Sequence, residues 1–324
     1  MKAVSRHCLV ALLAVLAWVP PVAAQYPAKP IRLIIPFPPG GGTDTIGRVL
    51  APKLGEYLGQ SVVAENRPGG GANIGAEIVA KSPPDGYTLL VVSITNAIGQ
   101  SVYSKLGFDL VKDFAGITQL ATTPHILVVH PSVPAKTVKE FIALARGRPG
   151  QLAYSSSGSG SAAHLAGEYF SSLAGVQMVH VPYKGGGPSM IALVGGEVSV
   201  CFATMPSAVA FVRSGKLRGI AVTTAKRSPS TPELPTIAET NAALKEYEAG
   251  SWYGFAAPAG APREVIARLN TEMVKVLKQP EVRERLDKAG FEIVTSTPQE
   301  YEAFQKNEVA KWGKIARAIN LKVD

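Results

Sequence analysis

The sequence predicts an α/β fold with a mostly parallel sheet, and three observations support this prediction. From Pro30 onward, short aliphatic or β-branched runs alternate with longer segments of helical period. The strand-like runs are almost continuously apolar, as expected of strands that are buried on both faces. Gly-rich turns connect several of these runs to the segment that follows. All-α folds and solvent-facing all-β folds fit this alternation poorly.

The elements of the first half follow in order from this alternation. Strands are predicted at 31–36, 62–65 and 88–92, and helices at 44–58 and 73–80. Pro52 lies inside the first of these helices and should kink it, because proline lacks the N–H of an internal hydrogen bond. A long apolar, β-prone stretch at 117–129 then carries the chain onward. This stretch is the first of two predicted extended crossings.

The second half repeats the pattern. Helices are predicted at 138–145, 161–173, 188–194 and 207–212, and strands at 152–154, 178–181, 198–202 and 217–222. The stretch 228–235 is rich in Ser, Thr and Pro and predicts a loop, and 250–257 is the second extended crossing. Two long crossings predict two lobes that exchange strands. Helices at 263–277 and 299–319 should then pack back on the first lobe.

The first 24 residues predict a secretory signal. Lys2 and Arg6 precede an apolar run at 9–19, and the small residues at 22–24 predict cleavage after Ala24. The run is short for a bilayer span, although a retained N-terminal anchor is the alternative. Cys8 would leave with the signal, so the mature chain keeps one thiol, that of Cys201, and forms no internal disulfide.

The charge balance is basic but diffuse. The 324 residues carry a formal net charge of +9, to which Lys2 and Arg6 contribute two charges. No run of Lys and Arg exceeds two residues, and basic and aromatic residues are not interleaved. A nucleic-acid partner is therefore not expected.

Gly-rich turns between a predicted strand and a predicted helix are the candidate binding segments. They lie at 37–44, 67–75 and 155–161, with a fourth at 183–189. Glycine lets the backbone approach a ligand closely, and the free N–H groups and partial positive charge of a helix N-terminus favour an anion. Asp44 argues against a phosphate dianion at the first turn. The alternatives are a plain tight turn with a helix cap at the first turn, a flexible turn at the second and a solvated loop at the fourth.

Catalytic, metal and nucleotide motifs are not found. The segment 158–163 fits G-x-G-x-x-A, but no acidic residue follows the next strand, and 42–47 lacks the Lys and Ser/Thr of a Walker loop. The sequence has no nucleophile elbow, no H-E-x-x-H and no Cys/His cluster. We therefore expect no cofactor, no metal and no enzyme activity. His164 is the candidate base if the chain is instead an exported enzyme acting on a small acid.

The opening motif at 30–44, with its Asp44, resembles the substrate-binding proteins of tripartite tricarboxylate transporters, the Bug family. Further similar segments follow in the same order at 65–69, 84–89, 154–158, 181–185 and 252–254. The resemblance implies a type II periplasmic binding protein, with two lobes of mostly parallel sheets joined by two crossover strands. We expect lobe 1 to comprise 25–122 plus 252–324, and lobe 2 to comprise 123–251.

The resemblance also implies a ligand site. In the family, the turns that here span 37–44 and 155–161 hold a ligand carboxylate from opposite lobes, partly through ordered water. The expected ligand-binding residues are Phe37, Gly41, Gly42, Thr43, Asp44, Gly71, Asn73, Ser93, Asn96, Ser155, Ser156, Gly158, Ser159, Gly160, Ser161, His164, Tyr183, Lys184 and Thr204.

The implied function is capture of a small organic carboxylate in the periplasm, by a monomer, for delivery to the membrane permease of such a transporter. A receptor that reports the ligand to a sensor kinase would have the same fold and cleft. The sequence leaves that alternative open.

Overall fold

The computed structural model of the chain describes residues 26–323, so the predicted signal and its cleavage site lie outside the described residues. The helices are α1 (Gly42–Leu58), α2 (Asn73–Ala80), α3 (Ile94–Val102), α4 (Val138–Gly147), α5 (Ala162–Ala174), α6 (Gly186–Val194), α7 (Met205–Arg213), α8 (Ile237–Thr240), α9 (Arg263–Leu277), α10 (Pro280–Lys288) and α11 (Pro298–Ala318). The strands are β1 (Ile31–Ile35), β2 (Val62–Asn66), β3 (Thr88–Ser93), β4 (Phe114–Val129), β5 (Ala153–Ser156), β6 (Val179–Pro182), β7 (Val200–Thr204), β8 (Arg218–Val222), β9 (Gly250–Pro258) and β10 (Glu292–Ile293).

The strands form one continuous mixed sheet in the order β2-β1-β3-β9-β4-β7-β5-β6, with β8 and β10 also pairing to β4. The β-α-β units give parallel pairs, as predicted: β1 with β2 and β3, and β5 with β6 and β7. All pairs made by β4 and β9 are antiparallel. The expectation of mostly parallel sheets therefore holds only for the β-α-β units, because the long crossing strands run against them.

Strand β4 belongs to both halves of the sheet. Its first part, 114–124, pairs with β9, and its second part, 125–129, pairs with β7 and β8. The two halves form two lobes, and β4 confirms the first predicted crossing. Close to this junction the Thr223 hydroxyl accepts a hydrogen bond from the His125 amide at 2.9 Å. Thr223 directly follows β8, so this bond ties the start of the segment that leads to β9 to strand β4.

The core covers both faces of the sheet. One face of lobe 1 packs on α1 and α9 through residues such as Leu50 and Leu269. The opposite face forms a cluster that runs on into lobe 2 and includes Phe170, Trp252 and Trp312. A third cluster lies beneath α6 and α7. These contacts confirm that the two C-terminal helices predicted from sequence pack on the first lobe.

Several elements were not predicted from the sequence, namely helices α3, α8 and α10 and the short strand β10. Helix α1 runs without interruption from Gly42 to Leu58 and contains Pro52, and the kink expected there stays a prediction.

Within residues 26–323, no helix is both long enough and apolar enough to cross a membrane.

Candidate ligand-binding site

The first residues of five helices surround one small cavity between the lobes. Helices α1 and α3 contribute from lobe 1, and α5, α6 and α7 contribute from lobe 2. Each follows the carboxyl end of a strand or a turn after it, which is where ligands bind in open α/β sheets. Among the described residues, no side chain caps α1, α6 or α7. The first-turn residues other than Pro188 and Pro206, which have no N–H, therefore offer backbone donors to an anion.

This inner cavity has a volume of about 40 Å³. Its lining comprises Phe37, Gly41, Gly42, Thr43, Ser93, Ile94, Thr95, Ser157, Ala162, Ala163, Gly186, Thr204, Ser207, Ser251 and Tyr253. None of these described residues is charged. The Ser93 hydroxyl is buried at the start of α3 and donates no hydrogen bond within the described residues. A buried hydroxyl proton without an acceptor at a cavity wall indicates a place for a ligand or water.

Tyr253 of β9 lies at the floor of the inner cavity. Its ring is 2 % exposed, and burial raises the pKa of its phenol, so the hydroxyl stays protonated and can donate. A Cβ atom added at Gly42 would lie 2.3 Å from the Tyr253 Oη and 3.4 Å from the Thr204 Oγ1. The Thr204 and Ser207 hydroxyls are 2.8 Å apart. Glycine at position 42 therefore keeps open the space onto which three hydroxyls converge.

An outer cavity of about 450 Å³ adjoins the inner one and shares Phe37 and Ser157 with it. Its lining comprises Phe37, Pro68, Gly69, Gly70, Gly71, Ala72, Ser157, Gly158, Ser159, Pro182, Tyr183 and Lys184. The lining combines glycine backbone with apolar rings, and Lys184 is the charged residue among them. The inner cavity has room for a small polar group, whereas the outer cavity has room for a larger one.

The two lobes touch around these cavities. The turn before α1 meets the turn that opens α6, since a Cβ built at Gly40 would lie 3.4 Å from the Gly187 Cα. The Tyr103 hydroxyl, at the end of α3, donates to the Ser159 carbonyl of lobe 2 at 2.8 Å. Gly71 and Gly160 both pack against Tyr103, where a Cβ would lie within 3 Å of its side chain. The lobes are therefore closed on each other at this site.

The predicted site residues fall into two groups. Those that line a cavity are Phe37, Gly41, Gly42, Thr43, Gly71, Ser93, Gly158, Ser159, Tyr183, Lys184 and Thr204. Those that lie behind the walls of these two cavities are Asp44, Asn73, Asn96, Ser155, Ser156, Gly160, Ser161 and His164. Direct contact of either group with a ligand stays a prediction.

Asp44 stabilises the turn 37–44 from the side opposite the inner cavity. Its carboxylate accepts hydrogen bonds from the Gly40 amide at 3.1 Å, the Asn66 amide group at 2.8 Å and the Arg48 guanidinium at 2.8 Å. Asn66 also donates to the Phe37 carbonyl. The negative charge of Asp44 is thus paired and faces away from the inner cavity, so it does not oppose an anion there.

Other residues behind the walls shape the Ser-rich turn. The Ser156 hydroxyl accepts from the Gly158 amide at 3.1 Å and lies 2.7 Å from the His180 Nε2. Ser161 caps α5 by accepting from the His164 amide, and His164 Nδ1 accepts from the Gly160 amide at 3.1 Å. Asn96 accepts from the Ser93 amide at the start of α3. These bonds fix the backbone of the turns and helix starts that line the two cavities.

Two imidazoles support this turn by stacking. The rings of His164 and His180 are parallel, with centroids 3.7 Å apart. Burial lowers the pKa of His164 to about 3, with the neighbouring His180 adding to the shift, and lowers that of His180 to about 4. Burial likewise lowers the pKa of His125, at the junction of the lobes, to about 4. All three are neutral in the folded protein at neutral pH.

We expect stability to fall as the pH drops from 6.5 toward 4. In that range the unfolded chain protonates these three histidines while the folded chain does not, so unfolding takes up as many as three protons. Above pH 6.5 their stabilising contribution is fully present. Urea unfolding followed at pH 7, 5.5 and 4.5 measures the effect. His180→Gln should reduce the slope, and equal stability at pH 7 and 5 would contradict the assignment.

Several cavity residues were not predicted as binding residues. Thr95 belongs to helix α3, which the sequence analysis missed, although Ser93 and Asn96 have the spacing of a helix cap. Tyr253 was assigned to an extended crossing without a binding role. Ala162, Gly186 and Ser207 lie within three residues of predicted ones. The structure shows that they too line the cavity, which their sequence positions do not indicate.

Cys201 is a buried residue of the lobe 2 core, as predicted, and burial raises the pKa of its thiol to about 11. Residues 26–323 contain no group of three or more His, Cys, Asp or Glu side chains that could hold a metal ion.

Two lobes of α/β structure that enclose an anion-adapted cavity between helix N-termini define the class of the molecule, a type II solute-binding protein. The comparisons with known proteins agree with this class. Residues 46–321 match the family model described as the tripartite tricarboxylate transporter family receptor, TctC. The chain belongs to this family.

Relatives extend over nearly the whole chain. It is 36% identical to Protein BugT of Bordetella pertussis over 306 residues, which cover 94% of this chain and 93% of that protein. Among solved structures it is similar to R. palustris Rpa4515 with adipate, with 36% identity, a TM-score of 0.89 and coverage of 92% of this chain and 99% of that one. It is also similar to MatC from Rhodopseudomonas palustris with bound malate, with 29% identity, a TM-score of 0.85 and coverage of 90% and 99%.

Proposed function

We propose that this protein captures a small organic carboxylate in the periplasm and delivers it to the membrane permease of a tripartite tricarboxylate-type transporter. The convergence of five helix N-termini on an uncharged inner cavity supports this proposal most directly. Two similar solved structures are of proteins with adipate and with bound malate, both carboxylates. The family is one of transporter receptors.

In this proposal the ligand carboxylate occupies the inner cavity and joins the lobes. Donors from lobe 1 and lobe 2 reach it together only when the lobes are closed, so binding favours the closed form. A charge-assisted hydrogen bond contributes about 1.5–3 kcal/mol, and several of them can offset the cost of ordering and closure. We place lobe 1 at 25–122 plus 252–324 and lobe 2 at 123–251, with hinges in the two crossings.

The residues behind the cavity walls act as positioning residues. Asp44, Asn96, Ser156, Ser161 and His164 bond to backbone groups of the turns and helix starts. His164 Nδ1 already accepts the Gly160 amide, and its side chain lies behind the wall. This placement favours a positioning role over acid–base chemistry for His164, and therefore a binding protein over an exported enzyme.

Carboxylates should raise the melting temperature of the mature protein, whereas neutral sugars should not. A ligand that binds only the folded state at 100 times its dissociation constant adds about 2.7 kcal/mol of stability. Differential scanning fluorimetry with a panel of mono- and dicarboxylates tests this, with the matching alcohols as controls. If no acid shifts the melting temperature and mass spectrometry finds no copurified acid, the proposal fails.

The membrane protein that binds the ligand-loaded form distinguishes delivery to a permease from signalling to a sensor kinase. Crosslinking of the ligand-loaded protein in native membranes should capture permease subunits. Capture of a kinase alone would instead show a receptor.

A further inference from the structure

We propose that the preferred ligand carries one carboxylate and a bulky uncharged tail, such as a ring or a short hydrocarbon chain. This inference rests on the proposed function, because it takes the inner cavity as the carboxylate site. It adds that the outer cavity holds an uncharged group of the ligand and therefore determines which acid binds best.

The size difference between the two cavities separates the two ends of the ligand. The inner cavity, of about 40 Å³, is much the smaller of the two and suits the small charged end of a ligand. The outer cavity is about 450 Å³ and opens directly from it past Phe37 and Ser157. A ligand held by its carboxylate must therefore place its remaining atoms in the outer cavity.

The walls of the outer cavity suit an apolar tail. Phe37, Pro68, Ala72, Pro182 and Tyr183 supply rings and a methyl group, and the remaining surface is mostly glycine backbone. The Phe37 ring is 7 % exposed and lies at the passage between the two cavities. Burying an apolar tail against such surface is favourable by about 25 cal/mol per Å².

A second carboxylate finds little compensation in this cavity. Lys184 is the charged residue of its described lining, and its side chain is exposed at the rim. The Tyr183 hydroxyl donates to the Glu197 carboxylate at 3.2 Å, so its proton is not free for a ligand. An ion pair with an exposed lysine contributes little, because solvent and salt screen it. A distal carboxylate would thus lose water and gain only this weak ion pair.

Matched pairs of acids test the proposal. Adipate and hexanoate have the same chain length, and terephthalate and 4-methylbenzoate have the same shape, so each pair differs in one terminal group. We expect the monocarboxylate of each pair to bind about tenfold more tightly or better, measured by isothermal titration calorimetry. Acetate should bind more weakly than either monocarboxylate because it leaves the outer cavity empty.

Each outcome is decisive. If the dicarboxylate of a pair binds as tightly or more tightly, or acetate equals the larger acids, the inference is wrong while the proposed function stands. If the acid that binds best in a wider panel carries a second carboxylate, the inference is likewise wrong. If no organic acid binds, the proposed function itself fails.

A charge added to the outer cavity should reverse the preference. Pro182→Lys places an ammonium group at an exposed lining position at the end of β6, and we expect it to improve binding of the dicarboxylate relative to its partner about tenfold. Val179→Lys is the matched control, because Val179 is exposed on the same strand but does not line the cavity. An unchanged preference in Pro182→Lys, or the same change in Val179→Lys, would show that the tail does not lie there.

Discussion

Gly42→Ala should abolish ligand binding while the protein remains folded. The added methyl group would lie 2.3 Å from the Tyr253 Oη and 3.1 Å from its Cζ, and the Tyr253 ring is packed in the core and cannot withdraw easily. The methyl group thus occupies the inner cavity. We expect the affinity for the best carboxylate to fall about 100-fold or more, which corresponds to ~2.7 kcal/mol.

The protein should still fold, at a lower melting temperature, because overpacking of this kind costs about 1–3 kcal/mol and Gly42, as the first residue of α1, has a helical backbone that alanine can adopt. Calorimetric titration measures the binding, and the melting temperature without ligand measures the fold. Gly147→Ala, at the end of α4, is the control, because a Cβ there meets no atom within 4 Å. Normal binding by Gly42→Ala would show that the carboxylate lies elsewhere.

Gly187→Ala should prevent full closure of the lobes. A Cβ at this position would lie 2.6 Å from the Pro39 carbonyl oxygen and 3.5 Å from the Gly40 Cα, across the contact between the lobes. Both neighbours are backbone atoms, so no side chain can rotate away. We expect the ligand affinity to fall at least about tenfold because the donors of the two lobes no longer meet.

Small-angle X-ray scattering separates this mechanism from a local defect. With saturating ligand, Gly187→Ala should keep a larger radius of gyration than the unaltered protein. Gly195→Ala, at the end of the same helix, is the control, because its Cβ would meet only carbonyls of α6 at 3.4 and 3.7 Å. Compact scattering together with full affinity in Gly187→Ala would mean that the 39–40 and 187 contact does not limit closure.

The sequence alone was sufficient to predict helices and strands where the periodicity of apolar residues is strong. Helices α2 and α9 begin and end where their apolar spacing predicts, and the long crossing at β4 follows from its β-prone run. The strand-to-helix turns that carry the site were also found, because their glycine clusters directly follow strand-like runs in the sequence. Helix α3 was missed because its residues include β-branched side chains and Gly99, which weaken the helical signal.

The site could be predicted only in outline, since its geometry depends on contacts distant in sequence. Tyr253 meets Gly42 and Thr204 only after β9 has returned between β3 and β4. No spacing in the sequence shows that pairing. Likewise, Ser156 follows a strand as a ligand residue would, yet its hydroxyl turns toward His180 and Gly158.

The helix N-termini around the inner cavity also bear on how such a receptor can change its ligand over evolutionary time. A backbone amide is present in every residue except proline, so most substitutions leave this grip in place. Side-chain changes in the outer cavity can then alter which acid is bound without changing the carboxylate site in the inner cavity. Related proteins can thus keep the same backbone carboxylate site and bind different acids. The glycines at the lobe contacts are the positions least free to vary.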